Sequence, residues 1–116
     1  MNILVQAKNM KTTKALRTFI EDQLSKIKRL GLPIQRVQVF LENVTRKDND
    51  PHRATVQLVT DIPKKGRITI ESKTHDLYLA VSEATKSLMR HLRKEKEKLH
   101  DQTRRQRRKL KNGDIE

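Results

Sequence analysis

The chain has 116 residues and a formal net charge of +13, from 27 Lys and Arg against 14 Asp and Glu. That length has room for one domain with a single core, and the charge favours a phosphate-rich partner. The absence of cysteine excludes a disulfide framework, a thiol nucleophile and a cysteine zinc site, and the apolar run at the N-terminus is too short for a signal peptide or a membrane span. We expect a cytoplasmic protein that has no contact with membranes.

The first part of the chain predicts a strand followed by a helix. The strand is indicated by Ile3, Leu4, Val5 and Ala7. Thr12 or Thr13 then offers an N-cap hydroxyl, and Gly31 with Pro33 ends the helix. The apolar residues that keep helical spacing between them are Leu16, Phe19, Ile20, Leu24, Ile27 and Leu30.

Period-two alternation predicts three more strands, each with one polar side. Their inward residues are Val37, Val39 and Leu41, then Ala54, Val56 and Leu58, and finally Ile68 and Ile70. A polar loop at residues 44–51 separates the first two of these strands, and a turn at residues 61–66 separates the last two.

A long second helix follows, for which Asp76 is the predicted cap. Its core-facing stripe is Leu77, Val81, Ala84, Leu88 and Leu92. Lys86, Arg90, Arg93 and Glu97 share a different face because they are spaced four, three and four apart. From Arg93 to Lys111 there are ten basic residues against three acidic ones. Since Glu95 and Lys96 interrupt the stripe, we predict a folded domain at residues 1–95 and a basic helical extension with a flexible tail at residues 96–116.

This order of elements predicts an α+β fold, a two-layer β-α-β-β-β-α sandwich. One right-handed crossover makes the first two strands parallel, and the four-stranded sheet carries both helices on one face. The exposed sides of the helices then form a basic groove, to which the first helix contributes Lys26 and Arg29. Few aromatic or amide groups are available there, so we expect RNA to be recognised by shape and backbone rather than by base identity.

Two segments resemble the short ribosome hibernation factors, the family of hibernation promoting factor and ribosome-associated inhibitor. The first runs from Ala15-Leu16-Arg17 through Leu24, Lys26 and Ile27. The second, more specific segment consists of Asp76, Leu77, Tyr78, Ala80 and Val81, continued by Leu88, Arg90, Leu92 and Lys94. The likeness covers roughly residues 1 to 100.

The resemblance implies a protein that binds the small ribosomal subunit at the decoding region. There it would contact 16S rRNA, compete with mRNA and tRNA, and silence translation under stress or in stationary phase, as a monomer when free. The residues carried over by position are Lys26, Arg29, Arg90 and Lys94, to which the charge pattern adds Lys86 and Arg93. Arg104, Arg105, Arg107 and Arg108 are predicted to make further RNA contacts from the tail.

The chain departs from the family pattern at three places. Gln23 and Ser87 stand where relatives often carry basic residues, and Lys86 replaces the second only if the RNA lies on its side of the helix. The tail is basic, whereas some relatives end in an acidic extension or stop early.

Other interpretations of the sequence remain open. The domain and tail also suit a general binder of structured RNA or duplexes, and the tail alone suits docking to an acidic partner. Tyr78 is interpreted as a packing residue with a hydrogen-bonded hydroxyl rather than a stacking platform. We expect no enzyme, cofactor or metal, because the chain lacks a phosphate-cradling glycine loop and a catalytic constellation, and its four histidines share no ligand spacing.

Overall fold

The order of the secondary-structure elements is the predicted one. The computed structural model describes residues 1–44, 50–62 and 65–115, with side chains described as far as Lys98. Its elements are β1 (Asn2–Lys8), α1 (Lys14–Ser25), a 3₁₀ segment (Lys26–Leu30), β2 (Arg36–Asn43), β3 (Ala54–Ile62), β4 (Gly66–Thr74) and α2 (Leu77–Ile115). The predicted α+β class and β-α-β-β-β-α order are confirmed.

The four strands form one mixed sheet in the order β1-β2-β3-β4. β1 and β2 are parallel, as the single crossover requires, and the other two pairs are antiparallel. Val5 lies opposite Val39, Val39 opposite Leu58, and Leu58 opposite Ile70. This apolar row crosses the whole sheet and marks the face on which the helices pack.

Both helices cover that face. The buried residues of α1 and the 3₁₀ segment are Leu16, Ile20, Leu24 and Ile27, and those of the α2 stripe are Ala80, Val81, Ala84, Leu88 and Leu92. They form one cluster with the inward residues of the strands. The fold is therefore the predicted two-layer sandwich with both helices on one side.

The last two strands extend beyond their predicted ends. β3 continues to Ile62, so the turn predicted from Asp61 begins later. Thr60 is 2% exposed although it is polar, because its hydroxyl donates to the carbonyl of Arg36 at 2.7 Å. A satisfied threonine thus takes an inward position where the sequence offered no apolar residue.

The first helix changes its winding near its end, which the sequence did not predict. Thr13 is the N-cap and its Oγ1 accepts from the Leu16 amide at 3.1 Å. After Ser25 the chain tightens into the 3₁₀ segment, where residues three apart align. Ile27 and Leu30 consequently point into the core together, and Gly31 ends the turn at a left-handed φ of +69°.

The second helix begins as predicted, with the Tyr78 amide donating to Asp76 Oδ1 at 3.3 Å. Glu95 is half-buried rather than simply solvated, with Oε2 3.8 Å from Lys65 Nζ and Oε1 3.6 Å from Lys98 Nζ. The turn between β3 and β4 therefore reaches α2 as far along as Glu95. The division of the chain at residues 95 and 96 stays a prediction.

The cap geometry predicts unequal effects for two neighbouring threonines. We expect Thr13→Ala to lower the free energy of unfolding by about 1 kcal/mol, because the Leu16 amide loses its acceptor. Thr12→Ala is the matched control and is expected to change it by less than about 0.5 kcal/mol. Denaturant unfolding of both variants measures the difference, and equal losses would contradict the assignment of Thr13 as the cap.

Candidate nucleic-acid interface

A groove runs along the seam between the two helices. The helices lie side by side and point in the same direction, since Phe19 meets Tyr78 near one end while Lys26 shares a cavity with Arg90 and Arg93 further on. This cavity encloses about 390 Å³. It is the place where the outward flanks of both helices meet.

Four of the predicted site residues line this groove. Gln23 and Lys26 form one wall, and the other consists of Ser82, Lys86, Arg90 and Arg93. The floor is Thr85 and Met89, of which Thr85 is buried with its hydroxyl donating to the Val81 carbonyl at 2.8 Å. The floor therefore has no unsatisfied hydroxyl, and cationic heads surround it. We call Lys26, Lys86, Arg90 and Arg93 the groove cations.

Arg29 does not line the cavity but lies beyond Lys26, at one end of the cavity. It belongs to the 3₁₀ segment, in which residues three apart eclipse each other. Arg29 therefore lies on the same edge as Lys26, one turn further along. Lys28 falls on another edge and lines a separate cavity with Glu21 and Asp22.

Lys94 does not line the cavity. It is rotated by about 100° from Arg93 around the helix axis but by only about 40° from Arg90, which lies four residues earlier. Lys94 is exposed and close in direction to Glu83, whose Oε2 accepts from Ser72 of β4 at 3.1 Å. Its contact with RNA stays a prediction.

The predicted tail contacts cannot be placed in the same way. Arg104, Arg105, Arg107 and Arg108 have their backbone within α2, but their side chains lie outside the described part of the structure. Their contacts with RNA stay a prediction.

Ion pairs in the described part of the chain lie outside the groove. They join Lys8 to Glu42, Arg17 to Glu21, Arg67 to Asp61, Lys73 to Glu71, and Glu95 to both Lys65 and Lys98. Within that part, none of the groove cations has a carboxylate oxygen within 4.0 Å. Four cations thus converge without an internal counter-charge, which is the arrangement that attracts a polyanion.

A larger cavity, of about 510 Å³, lies where β1 and β2 begin. It is lined by Asn2, Pro33, Gln35, Arg36, Asp61 and Ile62. One base and one acid give it no charge preference, so size alone does not make it the better candidate.

Comparison with known proteins shows the family of the chain. Residues 3–100 match the family described as "Sigma 54 modulation protein / S30EA ribosomal protein". The chain belongs to this family. Membership supports ribosome binding and translation regulation, and the family is one of ribosome-binding factors rather than a known enzyme family.

Two solved structures share the fold. The N-terminal domain of Protein Y from Thermus thermophilus has 25% sequence identity and a TM-score of 0.67, over 81% of this chain and 98% of that one. A ribosomal subunit interface protein from Coxiella burnetii has 18% identity and a TM-score of 0.67, over 83% of this chain and 98% of that one. The second likeness concerns the fold alone. A search of curated proteins found no match.

The two helix residues that depart from the family pattern, Gln23 and Ser87, differ in their position relative to the groove. Gln23 stands in the groove wall, so a neutral amide lies there among the groove cations. Ser87 lies on the flank of Glu83, whereas Lys86 lines the groove.

In the described part of the chain, no helix is apolar enough over a sufficient length to cross a membrane.

The sequence analysis did not predict the uncharged residues that line the groove. It also predicted a hydrogen bond of the Tyr78 hydroxyl that the described residues do not show. Ser82, Thr85 and Met89 carry no charge that would single them out, although helical spacing from Lys86 and Arg90 places them on the groove side. Tyr78 was expected to have a hydrogen-bonded hydroxyl. The residue is instead 40% exposed, and within the described residues the hydroxyl has no hydrogen-bond partner.

The unpaired charges predict a small stabilisation when one is removed. Lys86 and Arg90 are like charges at i, i+4, so Arg90→Gln should raise the free energy of unfolding by about 0.2–0.5 kcal/mol at low salt. The gain should vanish at high salt, because exposed charges are then screened.

The paired counterpart on α1 is the control. Arg17→Gln removes the contact of 3.4 Å with Glu21 and should lower the free energy of unfolding by a similar amount. Denaturant unfolding at two ionic strengths measures both variants. A loss of stability in Arg90→Gln would show that Arg90 has an internal partner.

Proposed function

We propose that this protein is a ribosome hibernation factor of the bacterial cytoplasm that binds the small ribosomal subunit through its interhelical groove. The groove lies over 16S rRNA at the decoding region and holds phosphates with Lys26, Lys86, Arg90 and Arg93. Arg29 extends this contact at one end. The protein thereby excludes mRNA and tRNA and keeps idle ribosomes silent.

The observation that carries the proposal is the set of groove cations, which no described carboxylate neutralises. A guanidinium binds a phosphate through two parallel hydrogen bonds, and a lysine adds a mobile point charge. Arg90 and Arg93 are less than one turn apart along α2, and Lys26 faces them from the 3₁₀ segment. A phosphate backbone lying in the seam is therefore held from both sides.

Family membership supplies the partner, which the charge pattern alone does not select. The family model that matches residues 3–100 is described as that of a ribosomal protein, which supports a ribosomal partner for the groove.

Co-sedimentation tests the proposal directly. The protein is run through sucrose gradients with empty ribosomes and with separated subunits, in the presence or absence of mRNA and initiator tRNA. We expect stoichiometric binding to the small subunit that these competitors abolish. Equal binding to short RNA duplexes, with no preference for the subunit, would instead identify a general duplex binder.

Charge reversal in the groove should abolish this binding. Lys26→Glu with Arg90→Glu places two negative charges against the RNA backbone, one in each wall. We expect loss of binding to the small subunit with a nearly unchanged thermal midpoint, because both side chains are exposed and neither is ion-paired within the described residues.

The matched control has the same change in net charge outside the groove. Lys14→Glu with Lys28→Glu alters the start of α1 and the far edge of the 3₁₀ segment, both exposed. This variant should keep most of the affinity. If both double variants lost binding equally, total charge and not the groove would be responsible.

Salt dependence measures the number of phosphates that the protein contacts. If about six phosphates are neutralised, the logarithm of the affinity for the small subunit should fall with log salt at a slope of about −4 to −5. Arg90→Gln should make the slope shallower by about 0.7 to 0.9, since one contact is lost. An unchanged slope would exclude Arg90 from the phosphate contacts.

A further inference from the structure

The seam between the helices continues past the groove to an aromatic pair. Tyr78 lies one turn before Ser82 on α2, and Phe19 lies one turn before Gln23 on α1. Their ring centroids are 5.1 Å apart with an interplanar angle of 63°, an edge-to-face contact. The seam therefore carries exposed aromatic surface at one end, neutral amide and hydroxyl groups next, and the groove cations at the other end.

From this arrangement we infer that Tyr78 is a stacking platform for one unpaired RNA base whose neighbouring phosphates lie on the groove cations. The inference rests on the proposed function and names the form of RNA that the groove takes. That form is a single-stranded or looped segment, because a base inside a duplex cannot present its face to a side chain.

The contacts of Tyr78 favour this role over simple packing. Tyr78 as a residue is 40% exposed, although its backbone is fixed at the start of α2 by Asp76. Phe19 holds the ring from one side, so little conformational entropy is lost when a base stacks on the exposed part. The hydroxyl has no partner among the described residues and is free to bond a ribose or a phosphate.

The distance from the ring to the cations suits a short stretch of RNA. Tyr78 precedes Lys86 by eight residues and Arg90 by twelve, which corresponds to about 12 and 18 Å along the helix axis. The three side chains keep to the outer half of α2 on the side of α1. A strand that stacks one base on Tyr78 thus reaches the cations within a few nucleotides. Stacking accepts any base, which agrees with recognition that does not depend on base identity.

The composition of the chain supplies a direct probe. Tyr78 is the single tyrosine and the chain has no tryptophan, so intrinsic tyrosine fluorescence reports on this ring alone. We would titrate the full chain with a short oligoadenylate and with an RNA duplex of equal length. The oligoadenylate should quench the fluorescence on binding. The duplex should bind, if at all, without quenching.

Three variants separate stacking from packing, with affinity measured by anisotropy of a labelled oligoadenylate. Tyr78→Leu keeps an apolar group against Phe19 but removes the ring, and should weaken binding roughly 5- to 150-fold without changing the salt slope. Tyr78→Phe keeps the ring and should restore the affinity. Leu4→Ala is the control, since Leu4 is also an exposed large apolar residue, at 44%, but alternates with Val5 in β1 and so lies on the sheet face opposite the helices, and this variant should bind as the wild type does.

Each outcome bears on the inference separately from the proposed function. Binding of oligoadenylate without quenching, or equal affinities for Tyr78→Leu and Leu4→Ala, would overturn the stacking role. Failure of oligoadenylate to bind would overturn it as well, while small-subunit binding in the sucrose gradients would still support hibernation. If the small subunit does not bind but the oligoadenylate binds with quenching, the platform stands and the proposed function fails.

Discussion

The packing of two apolar helical stripes on one face of a four-stranded sheet determines the rest of this structure. Strands are about 4.8 Å apart, so the sheet spans about 14 Å between its outer strand axes. Two helices at a separation of 8–10 Å cover that width. They are therefore forced side by side, and a continuous seam between their outward flanks is a geometric consequence of burying Leu16, Ile20, Leu24, Val81, Leu88 and Leu92.

The seam gains its chemical character from where the charges fall around it. Several carboxylates form ion pairs outside the groove. Glu42 and Glu71 do so on the sheet, and Glu95 does so with the turn between β3 and β4. Exposed ion pairs of this kind contribute little to stability, at most about 1 kcal/mol each. Within the described residues, none of these carboxylates comes within 4.0 Å of a groove cation. The cations of the groove therefore stand apart from the ion pairs on both the sheet and the helices.

The sequence predicted the fold because its apolar periodicities were regular. The stripe from Leu77 to Leu92 and the alternation in β2 and β3 have one simple packing solution. The 3₁₀ segment was missed because Ile27 and Leu30 are three apart, a spacing that an α-helix and a 3₁₀ helix share. β3 was predicted too short because the turn-forming residues from Asp61 to Gly66 were assigned to a turn, whereas the strand continues to Ile62.

The sequence predicted which site residues share a flank of one helix. It did not predict which flanks of α1 and α2 face each other in the fold. Lys86, Arg90 and Arg93 share a flank by spacing alone, but that spacing does not separate Lys94, which follows Arg90 by four residues. That this flank meets Lys26 depends on how α1 is rotated on the sheet, which no local pattern encodes. Ser82, Thr85 and Met89 were not predicted for another reason, since neutral side chains have no charge signal.

Charge explains attraction to RNA but does not explain selection among RNAs. A chain with a net charge of +13 binds any phosphate backbone at low salt, duplex or single-stranded. Selection requires a contact that most cellular RNA cannot make. An exposed ring at the end of the groove is such a contact, because paired bases are hidden in their stacks and only loops and single strands present a free face. In the role that we propose, Coulombic attraction draws RNA into the seam, and the ring at its end discriminates by base exposure rather than by base identity.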